Sequence, residues 1–452
     1  MTVKEHYLKN IAIAWPVMIG QLGHVMVGLA DSIMIGRLGT LPLAAGAFAN
    51  SIFIIPMVFG IGMAFGLTTP VANADGQGLP EKVRSYLKHG LYLNLAAGIV
   101  LFILLLLFTP FMNQLGQEPP VVALARPYFT IISSSLIPLL LFLTFKQFAE
   151  GLSDTRIAMA ISIGANLINV GLNYVLIYGY AGFPELGLNG AGYATFIARV
   201  LMALAMVLYV FRKQAFKAYT EAFQWLTVQK SHFITILNIG VPSGLQYIFE
   251  VSAFAAAAVM MGWLNAETLA AHQIAISLAS VSYMAATGFG AAANVRVSNQ
   301  LGAKNVTDMH LAARTNFIMT VVFMAFCGLV FYLGRFYLPT FYSDEATVIA
   351  LAADLLIVAV FFQLFDGLQV TALGALRGLS ETRIPTLITL FTYWGVGLPA
   401  SYLLGIKGNF GGMGIWYGLA IGLTVASVLL YWRFENRAKK LISHHSQEHV
   451  VI

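Results

Sequence analysis

A carboxylate stands where the chain is otherwise almost pure hydrocarbon. Val241–Met261 reads VPSGLQYIFEVSAFAAAAVMM, and Glu250 lies in its middle. At the centre of a membrane helix an acidic residue costs roughly 2.5–3.5 kcal/mol, so such residues face a cavity or a bundle interior and mark an ion or substrate path. Gln246, Ala253 and Ala257 share the Glu250 face at i−4, i+3 and i+7, giving an acid and an amide bordered by small side chains. That face reads as the wall of a polar chamber; the structural alternative is a carboxylate hydrogen-bonded to a neighbouring helix. A second acid, Asp366, sits in FFQLFDGLQVTALGALRG, where Gln363, Asp366 and Gln369 or Val370 fall on one face and Phe362 lies one turn before the acid. Hard cations take oxygen ligands. Glu250 and Asp366, with Gln246 or Gln363 nearby, are therefore the expected Na⁺ site, and a proton can neutralise the same carboxylates instead. A second polar set lies in the first half of the chain. His24, Gly28, Asp31 and Ile35 share one helical face, and Asn166, Asn169 and Asn173 form a polar stripe on another helix. Three amides can simply join helices; combined with Asp31 they favour a polar cavity for substrate or a second ion. His24 alone reads as a satisfied buried histidine, and Arg199 is expected to pair or to snorkel towards the cytoplasm.

The elements carrying these residues follow from composition. Of 452 residues 59% are hydrophobic and 10% charged, and the mean hydropathy is +0.79. Apolar runs of at least about 20 residues, enough to cross a hydrocarbon core of roughly 30 Å, begin near Asn10, Leu43, Tyr86, Val121, Ile157, Leu188, Phe233, Thr268, Ala312, Thr347, Ile384 and Met413. The first lacks a small-residue cleavage site and reads as a retained span. The net charge of +6 does not indicate nucleic acid, because of its placement. With twelve spans, 20 of the 25 basic residues fall on the side of the termini; Arg37, Arg126, Arg335 and Lys407 fall on the other, and Arg199 lies within a span. That asymmetry places both termini in the cytoplasm and the chain, multi-pass, in a plasma membrane, a bacterial inner membrane by expectation. Cys327, the single cysteine, excludes a disulfide framework and a cysteine metal site.

The chain repeats itself. Pro16, Gly36 and Leu43-Ala44-Ala45 recur as Pro242, Gly262 and Leu269-Ala270-Ala271 at a shift of 226, as do Val71, Asn73 and Gly76 at Val297, Asn299 and Gly302. GLSDTRI (Gly151–Ile157) recurs as GLSETRI (Gly378–Ile384) at a shift of 227, and its acid-base content suggests caps for the helices that follow. Six helices per repeat is an even number, so the expected fold is all-α, with twelve transmembrane helices in two six-helix lobes related by a pseudo-two-fold axis along the membrane normal. The expected division is an N-terminal lobe over 1–211, a linker over 212–231, a C-terminal lobe over 232–436 and a tail over 437–452. The acids break the repeat: Glu250 is matched by His24, Asp31 by Ala257 and Asp366 by Leu139. Packing does not need them.

No phosphate-cradling G-x-x-x-x-G-K-[ST] loop is present. The tail stretch His445-Ser446-Gln447-Glu448-His449 matches an inverted zinc-protease pattern, but no following segment could build a cleft, and a solvated tail is the better account. LAAHQIAISLASVSYM with AANVRVSNQLGAKN, GALRGLSETRIPTLITLFTYWGVGLPASYLLG and ADSIMIGRLG resemble the multidrug and toxic-compound extrusion (MATE) family over essentially the whole chain, most closely its NorM-like branch. The resemblance implies a cation-coupled antiporter that expels organic cations through a central cavity between two lobes, with acids at Asp31, Glu250 and Asp366. Where that branch often has a tyrosine one turn before the last acid, this chain has Phe362. The expectation is thus a monomeric, non-enzymatic exporter surrounded by membrane lipid, with no cofactor beyond Na⁺ or H⁺ as coupling ion. A lipid-linked precursor flippase would need a strongly cationic interior, and an intramembrane hydrolase a nucleophile-base or metal set; the sequence offers carboxylates and Arg199 for the first, and nothing for the second.

Overall fold

The computed structural model describes residues 1–221 and 228–448, and the described chain is helical, without strands. Twelve helices are long and apolar enough to cross a membrane: α1 (Val3–Gly36), α2 (Thr40–Gly76), α3 (Pro80–Gln114), α4 (Pro119–Gly151), α5 (Arg156–Tyr178), α6 (Gly187–Arg212), α7 (Lys230–Leu264), α8 (Ala266–Gly302), α9 (Val306–Gly334), α10 (Ala346–Gly378), α11 (Arg383–Lys407) and α12 (Gly411–Ser443). Each begins before its apolar run does, and two of them start on side-chain caps that hydropathy does not register. Asn265 accepts the Thr268 N–H at 2.7 Å to start α8, and Asn305 accepts the Asp308 N–H at 3.2 Å to start α9. Gly179, left-handed at φ 71°, ends α5. Within α11, Phe391–Gly397 and Tyr402–Lys407 are π-helical, a local widening frequent at functional sites.

The compact units cross the sequence halves at their edges. Unit 1 comprises Met1–Met18, Gly76–Gly78 and Leu245–Ile452; unit 2 comprises Ile19–Asp75 and Leu79–Gly244. The start of α1 therefore belongs with the second repeat and the start of α7 with the first, so the division expected at 211 and 232 is not followed by the packing. Small residues explain it. In unit 2 a Cβ on Gly240 would sit 2.5 Å from the Met63 carbonyl oxygen, so only glycine lets α7 lie this close to α2. In unit 1, Asn10 of α1 donates to the Ala312 carbonyl at 3.0 Å and to Thr315 at 2.8 Å on α9. Both crossings fall two residues after a proline, Pro16 in α1 and Pro242 in α7.

The repeated GLS(D/E)TR loops do not cap α5 or α11, since neither helix has a side-chain cap. They do three other things, in both copies. Gly151 and Gly378 admit Val71 and Val297, each of which would lie 2.8 Å from a Cβ. Ser153 and Ser380 then turn the chain at φ 63° and 58°. Finally the acid clasps the sixth helix of its repeat: Asp154 pairs with Lys213 at 2.6 Å, and Glu381 takes Arg433 and Arg437 at 2.5 Å each.

The linker is docked on unit 2 at both described ends. Phe216 is buried against Phe148 and Tyr209, Arg84 donates to the Ala218 carbonyl at 2.8 Å, and Tyr219 donates to Asp75 at 3.1 Å. Burial, reinforced by the Asp75 charge and hydrogen bond, pushes the Tyr219 phenol up to about 12. At the other end the Gln229 N–H donates to His89 at 2.8 Å, and Ser85 and His232 share a 2.7 Å hydrogen bond. Residues 222–227 of the expected linker, and the His445–His449 side chains of the tail, lie outside what is described.

Candidate functional site

In unit 1 the two acids are brought together by close helix approach. A Cβ on Gly374 of α10 would fall 2.1 Å from the Gly290 carbonyl oxygen of α8, so these helices touch backbone to backbone. Glu250 on α7 and Asp366 on α10 are both buried, and both interact electrostatically with the phenols of Tyr283 on α8 and Tyr393 on α11. The carboxylates also feel one another directly, and the Tyr283 hydroxyl is within hydrogen-bonding reach of Glu250. Glu250 Oε2 and Asp366 Oδ1 nevertheless have no hydrogen-bond partner. Buried oxygens in that condition call for an explanation, since the great majority are satisfied; a proton or a hard cation satisfies them.

The surrounding amides divide. Gln246 is buried one turn before Glu250, as its spacing requires. Gln363 is buried too, but its amide is already used: its oxygen accepts from Ser282 at 3.0 Å and its nitrogen donates to the Met324 carbonyl at 3.3 Å. Gln369 instead exchanges hydrogen bonds with the Tyr393 hydroxyl at 3.0 and 3.3 Å, linking α10 to the π-helical turn of α11. Phe362, set by the sequence one turn before Asp366, is buried. It belongs to unit 1 and packs its ring against Phe254 and Trp416, with centroids 6.1 and 5.4 Å away, one turn from Asp366.

Unit 2 carries a different arrangement. Asp31 on α1 accepts a short hydrogen bond from Asn173 of α5. Asn169, with its amide turned to satisfy both ends, donates to the same oxygen at 3.0 Å and accepts the Thr195 backbone N–H of α6 at 3.2 Å. Two of the three asparagines thus hold the acid. Asn166 does not reach it: its nitrogen has no partner and would lie 3.1 Å from a Cβ on Gly23 of α1, where it packs. His24, expected among the cavity residues, has an accessible ring and takes no part in the Asp31 hydrogen bonds. Arg199 on α6 neither snorkels nor pairs with an acid among the described residues; it donates to Ser135 of α4 at 2.6 Å.

Sequence reasoning missed Tyr283, Tyr393 and Thr195. Each lies in an apolar run, and although Tyr283 stands in LAAHQIAISLASVSYM and Tyr393 in GALRGLSETRIPTLITLFTYWGVGLPASYLLG, nothing along those stretches says what they face. Tyr393 lies in a π-helical turn, a register that a 3.6-residue period misplaces.

Twelve membrane helices among the described residues, in a repeated set of six that buries carboxylates, are the build of a multi-pass membrane transporter. The chain belongs to the MatE family, whose family model matches residues 16–175 and 242–403, one segment in each repeat. It is 35% identical to a probable multidrug resistance protein NorM of Mesorhizobium japonicum, over 96% of this chain and 94% of that protein. It is 32% identical to the multidrug resistance protein PmpM of Pseudomonas aeruginosa, over 99% and 95% of the two chains. Among solved structures, an outward-facing multidrug resistance MATE family transporter of the MOP superfamily superposes with a TM-score of 0.90, at 20% identity and 97% coverage of both chains. The eukaryotic MATE transporter AtDTX14 superposes with a TM-score of 0.86, at 22% identity, over 98% of this chain and 99% of that one. These likenesses show the fold, and the family is one of transporters, not of enzymes.

Proposed function

We propose that this protein is a cation-coupled multidrug antiporter of the bacterial inner membrane, exporting lipophilic organic cations by alternating access. The observation that carries the reading is the pair of buried carboxylates in unit 1, Glu250 and Asp366, each with an oxygen lacking a hydrogen-bond partner. The names of the NorM and PmpM relatives support the multidrug part. Na⁺ is the first choice of coupling ion: Glu250 and Asp366 supply its charged oxygens and Gln246 is the nearby amide. Gln363, whose amide already serves Ser282 and Met324, would have to exchange those bonds to join them. A proton shared by the two acids is the competing choice, with the Tyr283 hydroxyl beside Glu250. Each elementary charge moved inward gains about 2.3 kcal/mol per 100 mV, which biases the direction in which the protein opens. Asp31, with Asn169 and Asn173, would take the cationic cargo. Both termini face the cytoplasm in this reading, so a reporter at Thr220 and one at Glu185 should lie on opposite sides. The deciding experiment is efflux of a lipophilic cation from proteoliposomes under separately imposed Na⁺ and pH gradients. Efflux under neither gradient, or equal export of comparable anions, would overturn the proposal.

A further inference from the structure

Unit 2 contains a cation of its own that the reading above leaves unused. Arg199 is fixed entirely by neutral groups: Nη1 donates to Ser135 Oγ at 2.6 Å, Nη2 lies 3.7 Å from Met57 Sδ, and the guanidinium carbon stands 5.5 Å above the centre of the Phe53 ring. Among the described residues no carboxylate forms an ion pair with it. It lies one helical turn beyond Thr195, the residue whose backbone N–H holds the Asn169 amide against Asp31. Its charge is felt at Asp31, and that of Asp31 at Arg199. Asp31 is likewise held by neutral amides alone. One unit thus holds two opposite charges, each anchored by neutral partners and neither cancelled by contact. Charges inside a membrane protein act over longer distances than in water. Packing does not call for the guanidinium. When Gly190-x-x-Tyr193 of α6 is aligned with Gly414-x-x-Tyr417 of α12, the position opposite Arg199 is Leu423, a buried hydrocarbon.

We propose that Arg199 is a tethered counter-ion of Asp31, a built-in cation that competes with cargo for the field of the carboxylate and sets how tightly unit 2 holds a positive charge. The proposal rests on the reading that cationic cargo uses Asp31. A transported cation must bind well enough to enter and weakly enough to leave, and a fixed guanidinium near the carboxylate keeps the binding weak. It also discriminates by charge, because a cargo with two positive charges meets the guanidinium's repulsion twice. Arg199 is in this sense a specificity-determining residue that acts through Asp31, not a ligand of the cargo.

The test uses the full chain in nanodiscs and equilibrium binding of tetraphenylphosphonium. Arg199→Gln should tighten binding about tenfold, equivalent to about 1.4 kcal/mol, and Arg199→Met should act in the same direction should the Gln variant fold poorly. Arg199→Lys keeps the charge and should stay within about twofold of the unaltered protein. In the Asp31→Asn background the same Gln substitution should give a clearly smaller gain, since the cargo is no longer drawn to the carboxylate near the guanidinium. A bis-quaternary dication of the viologen type should gain more from Arg199→Gln than tetraphenylphosphonium does. The counter-ion is overturned by unchanged or weaker binding in the Gln and Met variants, by Lys behaving like Gln, or by an equal gain with and without Asp31. Failure of the unaltered chain to bind tetraphenylphosphonium at all would remove the cation-export reading itself, and the counter-ion with it.

Discussion

The acid sites of the two units are built on the same repeated fold and arrive at opposite electrostatics. In unit 1, Glu250 and Asp366 put two carboxylates among phenols and an amide, and each keeps an oxygen unsatisfied. In unit 2 a single carboxylate, Asp31, is held by two amides and shares its unit with Arg199. In the proposed function the first arrangement takes a positive charge from outside, whereas the second is already partly compensated. A repeated scaffold therefore does not imply repeated work. Two neighbouring carboxylates suit a small ion or a proton that must be bound strongly, while one moderated carboxylate suits a bulkier cation that must be released.

The comparison breaks most sharply at the unit 1 acids. Replacing Glu250 by Gln, or Asp366 by Asn, should lower coupling-ion affinity by about a hundredfold or more, equivalent to about 2.7 kcal/mol. The double variant should be little worse than either single one, because residues that share one ligand are not additive. Isotope binding or calorimetry on purified protein checks this, and undiminished ion binding in both single variants would end the case for a shared site. Next in size, Asp31→Asn should weaken binding of a lipophilic cation about tenfold while leaving ion binding within about twofold. A loss of ion binding as large as that of Glu250→Gln would mean the units are not specialised as described.

A smaller effect sharpens the role of the phenols. Tyr393→Phe removes the hydroxyl that Gln369 holds at 3.0 Å beside the acids. Loss of that hydrogen bond should cost about 1 kcal/mol and reduce ion affinity about fivefold, measured in the same titration. Smallest is the contrast between the twin loops. Glu381→Gln releases two arginines, Asp154→Asn one lysine, and all are partly exposed. Stability losses of about 1 and about 0.5 kcal/mol are expected, read as thermal midpoints in detergent that fall by a few degrees in that order. Equal losses would show that the second arginine contributes nothing.

Much of this was legible without coordinates. Glu250, Asp366 and Asp31 stood out because apolar surroundings make any acid conspicuous, and Asn169 and Asn173 because their spacing puts them on one face. Gln246 followed from a single helical turn. The failures share a cause. Gln363 looked available because sequence gives its face but not its partner, and Ser282 reaches it only because α8 and α10 meet at Gly290 and Gly374. Asn166 was included because a stripe of three amides looks uniform, whereas only two of them reach Asp31.

By itself the sequence determined the twelve spans, the two-fold repeat, the family and the identity of the charges that break the repeat. These are local sums of hydropathy, short-range periodicity and self-similarity, quantities that need no knowledge of what a residue touches. Only the tertiary structure decided that the starts of α1 and α7 pack in the opposite repeat's unit, that Tyr283 and Tyr393 meet the acids, that Asp154 and Glu381 clasp helices instead of capping them, and that Arg199 shares a unit with Asp31 without pairing to it. Each depends on the depth and rotation of helices far apart in sequence. Those are fixed by where glycine allows backbones to touch, and no pattern along one helix records the shape of its neighbour.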